Sequence, residues 1–226
     1  MASATSTALS RHFIRAATAA DAPRIVEITN DAFMADAFFK VPAAVLRFTL
    51  DEVRDMLAVP NSEFLLAEFS AAPLPHEAAS QPEGSESHSE LSAAGDAELT
   101  GVAELTGVCG SLYFQWDVAD VASATTGCKF SAVSVPSQFA RRGIGQALVR
   151  AAEQRALALA RANGSARCAL EMSVVNARPD LFAWYGKQGF ATVGPLLPSP
   201  PDFAALVAPE AGEVHLVLMR KELAVL

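Results

Sequence analysis

The chain has 226 residues, of which 51% are hydrophobic, and a formal net charge of −8. This length and composition predict one globular domain with a sizeable core and exclude a chain that is disordered throughout. No apolar run approaches the roughly 18 residues that a membrane-spanning helix needs, so no membrane association is predicted.

Most of the net negative charge comes from one segment. Residues 71–100 contain six acidic residues, no Lys or Arg, and much Ala, Ser, Pro and Gly. We predict a flexible acidic insertion there, because such a segment buries too little apolar surface to offset its ordering entropy. A role as an interaction segment is the alternative. The rest of the chain is nearly neutral, so neither nucleic acid nor a membrane surface is indicated as a partner.

The potential metal ligands are scattered along the chain. The three cysteines show no CxxC spacing, and the four histidines have no partner at metal-ligand spacing. This predicts free thiols in a reducing compartment, hence the cytoplasm, and no metal. The first 20 residues contain no acid, which leaves a mitochondrial presequence as the alternative. We prefer a disordered start over 1–11, because the first strand follows directly.

Hydrophobic periodicity predicts a single domain built on a mixed α/β sheet of about seven strands with four main helices. A resemblance to a known family, given below, implies that this sheet is mostly antiparallel. The order of elements is β-α-α-β-β-β-α-β-α-β-β. The strands are predicted over 12–17, 63–70, 107–114, 129–135, 167–175, 190–193 and 214–219, and the helices over 20–34, 46–57, 143–162 and 180–188.

The stretch from Val133 to Leu148 predicts an anion site. A strand leads into the turn Arg-Arg-Gly-Ile-Gly, which opens a long helix. Backbone N–H groups at the positive end of a helix dipole bind phosphates, and Gly143 and Gly145 leave the backbone accessible. The Gly-Lys-Ser/Thr ending of a P-loop is absent, and the third glycine of a dinucleotide fingerprint is replaced by Leu148. A tight turn without a ligand is the alternative that this stretch alone leaves open.

A second motif follows about forty residues later. Asn176 precedes the run Asp-Leu-Phe-Ala-Trp-Tyr-Gly-Lys-Gln-Gly-Phe, which ends at Phe190. Together with the Arg-Arg-Gly-Ile-Gly turn and the order of the elements, this run resembles the GNAT superfamily of N-acetyltransferases. The resemblance covers roughly residues 13–220 apart from the acidic insertion. It implies an acetyl-CoA-dependent acyltransferase that acetylates an amine.

The resemblance also implies roles for individual residues. Tyr185 would be the general acid near the sulfur, and Asn176 would contact the pantetheine arm. The backbone of Val133, Ser134 and Val135 would bind the pantetheine and the acetyl carbonyl. One departure from the family is Ala140, which stands where a Gln or Arg is usual. The pyrophosphate would lie on the backbone of Arg141, Arg142, Gly143, Ile144, Gly145, Gln146 and Ala147.

The general base and the acceptor site are predicted from chemistry alone. A protonated amine must lose a proton before it attacks, and Glu171 is the first candidate base, with Glu68 and Glu104 as others. The acceptor would lie against residues 33–39 and the loop 194–212. Phe33, Phe38 and Phe39 would make this site partly apolar, with Asp36 open to a cation, although the phenylalanines would equally suit a core.

The substrate class stays open. A small-molecule amine is the first hypothesis, and a protein or peptide amine or a non-catalytic acyl-CoA-binding module are the alternatives. The protein would be a monomer or a homodimer.

Overall fold

A computed structural model describes residues 12–42, 46–69, 107–117, 125–195 and 203–225. The predictions for 1–11, for the acidic insertion 71–100 and for Glu104 lie outside these residues. The strands are β1 (His12–Ala16), β2 (Ser62–Phe69), β3 (Gly107–Trp116), β4 (Thr125–Ser134), β5 (Arg167–Val175), β6 (Ala191–Pro195) and β7 (Leu216–Leu223). The α-helices are α1 (Ala22–Phe33), α2 (Leu50–Ala58), α3 (Ile144–Ala162), α4 (Pro179–Gly186) and the short α5 (Phe203–Leu206).

The seven strands form one sheet in the order β1-β2-β3-β4-β5-β7-β6. All neighbouring strands are antiparallel except β4 and β5, which run parallel. The predicted fold class, the order of the main elements and the mostly antiparallel sheet are therefore confirmed. The prediction did not include α5, whose four residues lie in the Pro-rich connection before β7.

The beginning of α2 was predicted wrongly. Leu46 was placed in the helix, but the helix begins at Leu50 and the Leu46 side chain is 66% exposed. A capping box decides the boundary: the Thr49 hydroxyl accepts from the Glu52 N–H, and the Glu52 carboxylate accepts from the Thr49 N–H. This reciprocal pairing satisfies two helix-end donors, which hydrophobic spacing alone does not reveal.

Helices cover both faces of the sheet. Helix α3 packs one face through an apolar stripe whose alanines, Ala152, Ala156 and Ala160, are fully buried. We call this side, which α4 also covers, the α3 face. Helices α1 and α2 cover the other side over β2 to β4, with Ile25, Ile28 and Val53 buried there. We call it the α1 face.

Strands β4 and β5 separate halfway along their length. Their pairing runs from Thr125 and Arg167 to Lys129 and Glu171, whereas β4 continues to Ser134 and β5 to Val175. Strand β4 stays paired with β3 throughout this region, but its register shifts there, and Ala132 has a φ of 51°. A bulge of this kind bends the strand that carries it. The sheet therefore opens into a cleft between β4 and β5.

Candidate active site

The walls of the cleft are strand edges inside the sheet. Beyond the last pair, residues 130–134 of β4 and 172–175 of β5 no longer bond to each other. Backbone N–H and C=O groups require partners, and a free strand edge is a template for an extended ligand. The cleft can therefore accept a narrow chain that carries amide groups. Val133, Ser134 and Val135 lie on its β4 side and just beyond.

The start of α3 presents free backbone donors. Gly143 is the N-cap with φ 78° and ψ 0°, and no side chain caps the helix. The first helical bond runs from the Ala147 N–H to the Gly143 carbonyl, so the N–H groups of residues 144–146 have no acceptor within the helix. Arg141, which is exposed, also has a left-handed φ of 60°. Non-glycine residues in this region are uncommon and cluster at ligand sites. The turn is thus suited to an anion.

Two glycines let the surrounding elements approach this turn. A Cβ on Gly110 of β3 would lie 2.8 Å from the Ile144 side chain, so only glycine lets the first turn of α3 rest on β3. A Cβ on Gly145 would lie 3.4 Å from the Trp184 ring of α4. Trp184 therefore packs α4 against the beginning of α3, as expected for a packing residue. Gly110 was missed, because an isolated glycine in a strand does not show what packs on it.

Tyr185 lies at the base of the cleft. Its ring is 6.1 Å from Phe130, the first β4 residue beyond the last β4–β5 pair, and 4.6 Å from Trp184. Only 5% of the residue is exposed. Among the described residues the Tyr185 hydroxyl has no hydrogen-bond partner. Every fully buried side-chain oxygen in those residues has a partner, so this hydroxyl is not fully buried. The hydroxyl therefore reaches solvent. Burial raises the pKa of Tyr185 and Arg178 opposes that rise, so the phenol is protonated at neutral pH.

Asn176 follows β5 and joins it to the entrance of β7. Its Nδ2 donates to the Glu213 carbonyl at 2.9 Å, and its Oδ1 accepts from the His215 N–H at 2.9 Å. Its own backbone N–H donates to the His215 carbonyl. The amide therefore has a structural role in this fold. A carboxamide can form further hydrogen bonds, so contact with a ligand stays a prediction.

Glu171 and Tyr185 lie on opposite faces of the sheet. The strand neighbours of Glu171, Leu170 and Met172, belong to the core of the α3 face together with Tyr185, so Glu171 points to the α1 face. Its carboxylate forms an ion pair with Arg220, whose Nε lies 2.7 Å from Oε1. The structure therefore does not bring the predicted base to the predicted acid.

Glu68, another candidate base, is also engaged in an ion pair. Its carboxylate accepts from Arg15 Nε at 2.6 Å on β1. This pairing suits a structural role at the edge of the sheet.

The predicted acceptor residues lie where α1 ends. Phe33 is the last residue of α1 and is half-buried, and Asp36 and Phe38 belong to the 3₁₀ turn Met34–Phe39. Phe38 is 64% exposed, so it is not the core residue that the alternative would require. Asp36 was expected to be open to a cation from a substrate. In the structure its carboxylate accepts from Arg178 Nη1 at 2.5 Å.

Arg178 was missed by the sequence analysis. Its Nε and Nη2 donate to Asp180 at 2.9 and 2.8 Å, while Nη1 binds Asp36, so it ties the Met34–Phe39 turn to the beginning of α4. The partners Asp36 and Arg178 are 142 positions apart in the chain. The one available signal was a lone arginine between Asn176 and Tyr185, and a charge by itself does not name its partner.

The fold is that of the GNAT N-acetyltransferases. Three similar solved structures are PaiA N-acetyltransferase from Thermoplasma acidophilum in complex with coenzyme A (13% identity, TM-score 0.56), a GCN5-related N-acetyltransferase from Kribbella flavida (19%, 0.52) and NAA60 from Arabidopsis thaliana in complex with acetyl-CoA (11%, 0.56). Each alignment covers 94% of this chain and 98–99% of the other. No family model and no curated protein sequence matches the chain.

The ranges that the structure describes contain neither a metal-binding cluster nor a membrane-spanning helix. Those ranges hold no group of three or more His, Cys, Asp or Glu side chains placed to bind a metal ion. Nor do they contain a helix that is long and apolar enough to cross a membrane.

Proposed function

We propose that this protein transfers the acetyl group of acetyl-CoA to a primary amine, in the first instance that of a small molecule. The observation that carries the proposal is the β4–β5 cleft, which has an uncapped helix start and a buried tyrosine beside it. The fold supports it, because similar structures bind coenzyme A or acetyl-CoA. The three free, buried cysteines are consistent with a cytoplasmic location.

The elements around the cleft suit the parts of acetyl-CoA. The pantetheine arm is a narrow chain with two amides, which can bond to the free edge of β4 at residues 130–134. The pyrophosphate would accept hydrogen bonds from the backbone of residues 141–147, and Arg141 and Arg142 add positive charge there. Ala140 supplies no side-chain contact to a phosphate, so the proposal relies on backbone donors. Asn176 would contribute a contact to the arm through its remaining hydrogen-bonding capacity.

The chemistry is a direct transfer. The neutral amine attacks the thioester carbonyl carbon, and a backbone N–H near Val135 stabilises the resulting oxyanion. The C–S bond then breaks, and the Tyr185 hydroxyl gives its proton to the departing thiolate. The proton that the amine loses restores the phenol through solvent. Because burial keeps Tyr185 protonated, the acid is available throughout the neutral pH range.

The general base is Glu171 or a chain of water molecules. Glu171 keeps its place as a candidate, because it stands at the last β4–β5 pair, where the cleft begins. Its carboxylate is paired with Arg220, and its face is opposite that of Tyr185. A chain of water molecules through the cleft is the alternative, since an amine needs only one proton removed.

Acetyl-CoA turnover tests the proposal. We would measure thiol release with amino acids, diamines, arylalkylamines, aminoglycosides and peptide N-termini, and measure acetyl-CoA binding by thermal shift. Thiol release that depends on an amine is the expected result. Binding without release for any acceptor would indicate a non-catalytic acyl-CoA-binding module. The absence of both would show that the cleft does not bind acetyl-CoA.

A further inference from the structure

Two cations lie on aromatic rings in the connection between α1 and α2. Lys40 Nζ is 5.3 Å from the centroid of the Phe33 ring, and Arg47 Cζ is 5.6 Å from the same centroid. Arg47 also lies 4.7 Å from the Phe48 centroid. Two positive charges therefore lie over one half-buried ring. We call Lys40, Arg47 and Phe33 the cation–aromatic cluster.

Among the described residues no carboxylate contacts either cation of the cluster, while Asp36 acts on both through space and Glu52 acts on Arg47. Within the described ranges neither Lys40 nor Arg47 forms an ion pair or donates a side-chain hydrogen bond. The nearest acid in the same turn, Asp36, already binds Arg178. Burial lowers the pKa of Lys40; the charge of Asp36 opposes this shift and that of Arg47 adds to it. Two like charges near one ring attract an anion.

The backbone of the cluster is held in place. Residues 39–41 bond to the segment around α5: the Val41 N–H donates to the Leu206 carbonyl at 3.0 Å, and the Ala208 N–H donates to the Phe39 carbonyl at 2.9 Å. A bridge pairs Lys40 with Val207. The Lys40 position is thus fixed from two directions, and a binding group that is fixed in advance loses less entropy when a ligand arrives.

The cluster belongs to the acceptor side of the reaction centre. Asp36, four residues before Lys40, binds Arg178. Arg178 is close enough to Tyr185 for its charge to oppose the rise in the pKa of Tyr185 that burial causes. The turn that carries the cluster is therefore attached to the helix that carries the proposed acid.

From this arrangement we infer that the acceptor is an amine that carries a carboxylate on an apolar body, such as an α-amino acid with an apolar or aromatic side chain. The inference rests on the proposed acetyl transfer. The carboxylate would lie between Lys40 and Arg47, and the apolar part would pack on Phe33 and Phe38. Diamines and polyamines are disfavoured, because their second ammonium group would meet the same cations.

Matched acceptors test the charge requirement. Phenylalanine, phenylalaninamide and phenethylamine share the aromatic body and the amine, but only phenylalanine has a carboxylate. We expect kcat/KM for phenylalanine to exceed that of the other two by about 30-fold, roughly 2 kcal/mol for a charge-assisted contact. Lys40→Gln and Arg47→Gln should each reduce this preference about tenfold through KM, and Lys40→Arg should retain it. Arg54→Gln, at an exposed arginine of α2, is the control and should change nothing.

A binding measurement separates this inference from the proposed function. N-acetylphenylalanine and its amide are titrated calorimetrically into the full chain and the two Gln variants, which requires no turnover. We expect N-acetylphenylalanine to bind more tightly than its amide and each Gln variant to abolish this difference. That result would support the cluster even if no thiol were released. Equal binding of both ligands, or turnover that favours phenethylamine or a diamine, would overturn the inference and leave acetyl transfer intact.

Discussion

Two regions of the molecule contribute to the proposed reaction by different means. On the α3 face, the groups assigned to acetyl-CoA are mainly backbone N–H groups within a short stretch, residues 141–147, and along the free edge of β4. Where the turn after α1 meets the start of α4, the groups near the proposed acceptor are side chains from distant segments, Asp36 and Arg178. A backbone site tolerates many side chains and serves a constant ligand, whereas a side-chain site changes with each substitution. This contrast explains why a shared fold does not identify the acceptor.

The largest expected effect is at Tyr185 on the α3 face. Tyr185→Phe removes the proposed acid but keeps the ring, so kcat should fall by about 10²-fold or more. Acetyl-CoA affinity should stay within about twofold, because the ring packing is unchanged. Rates of thiol release and a binding titration measure the two effects. Tyr113→Phe, which alters another buried tyrosine, is the matched control and should keep its turnover. Undiminished turnover of Tyr185→Phe would remove Tyr185 from catalysis.

Alkaline pH should destabilise the core of the α3 face, which contains the three cysteines, more than the core of the α1 face. Cys109, Cys128 and Cys168 all lie in the core of the α3 face, and burial raises the pKa of Cys109 to about 11 and that of Cys128 to about 12. In the unfolded chain a thiol titrates near 8.5. Because the folded pKa is the higher one, the stability that the buried, protonated thiols contribute is complete below about pH 8.5. It is lost as the pH rises toward the folded pKa values.

We therefore expect the free energy of unfolding to fall by about 1–2 kcal/mol per thiol between roughly pH 8.5 and 10. Urea titrations across this range measure the fall. The double variant Cys109→Ala, Cys128→Ala should be less stable at pH 7 but should depend less on pH. An unchanged slope in that variant would show that other groups cause the alkaline loss.

A smaller effect is expected at the proposed phosphate turn. Gly143 in this turn can be compared with Gly164, which follows the other end of α3. Gly143 at the start of α3 has φ 78°, Gly164 after its end has φ 64°, and a Cβ at either position would meet nothing within 4 Å. Alanine at either should cost about 1 kcal/mol of stability through backbone strain. Only Gly143→Ala should also weaken acetyl-CoA binding, by about tenfold, because it shifts the backbone donors. Equal affinities in the two variants would argue against the turn as the phosphate site.

The smallest effect is expected at Glu171. Glu171→Gln breaks a partly exposed ion pair with Arg220, which is worth about 0–1 kcal/mol of stability. If water removes the amine proton, kcat/KM should change by less than about threefold at every pH. The pH profile of kcat/KM is the measurement. A loss of about 10²-fold together with the acidic limb of that profile would identify Glu171 as the base.

How far the candidate site could be predicted depended on how local its determinants are. The Arg-Arg-Gly-Ile-Gly turn and the helix after it are encoded within a few residues, so the pattern predicted where α3 begins to within one residue. The contacts of Asn176 could not be predicted, because its partners Glu213 and His215 lie 37 and 39 positions away. The face on which Glu171 lies follows from the register of β5, but what lies on that face follows from helix packing.

By itself, the sequence determined the order of the elements, the position of the long helix and the residues at its glycine turn, because periodicity, caps and glycines act over one or two turns of chain. Tertiary structure decided the rest. Only the folded sheet shows that β4 and β5 separate beyond Lys129 and Glu171, that Asp36 binds Arg178, and that Lys40 and Arg47 share the Phe33 ring. These features depend on side chains brought together from distant positions, and the free energy of such contacts is set by packing rather than by local pattern.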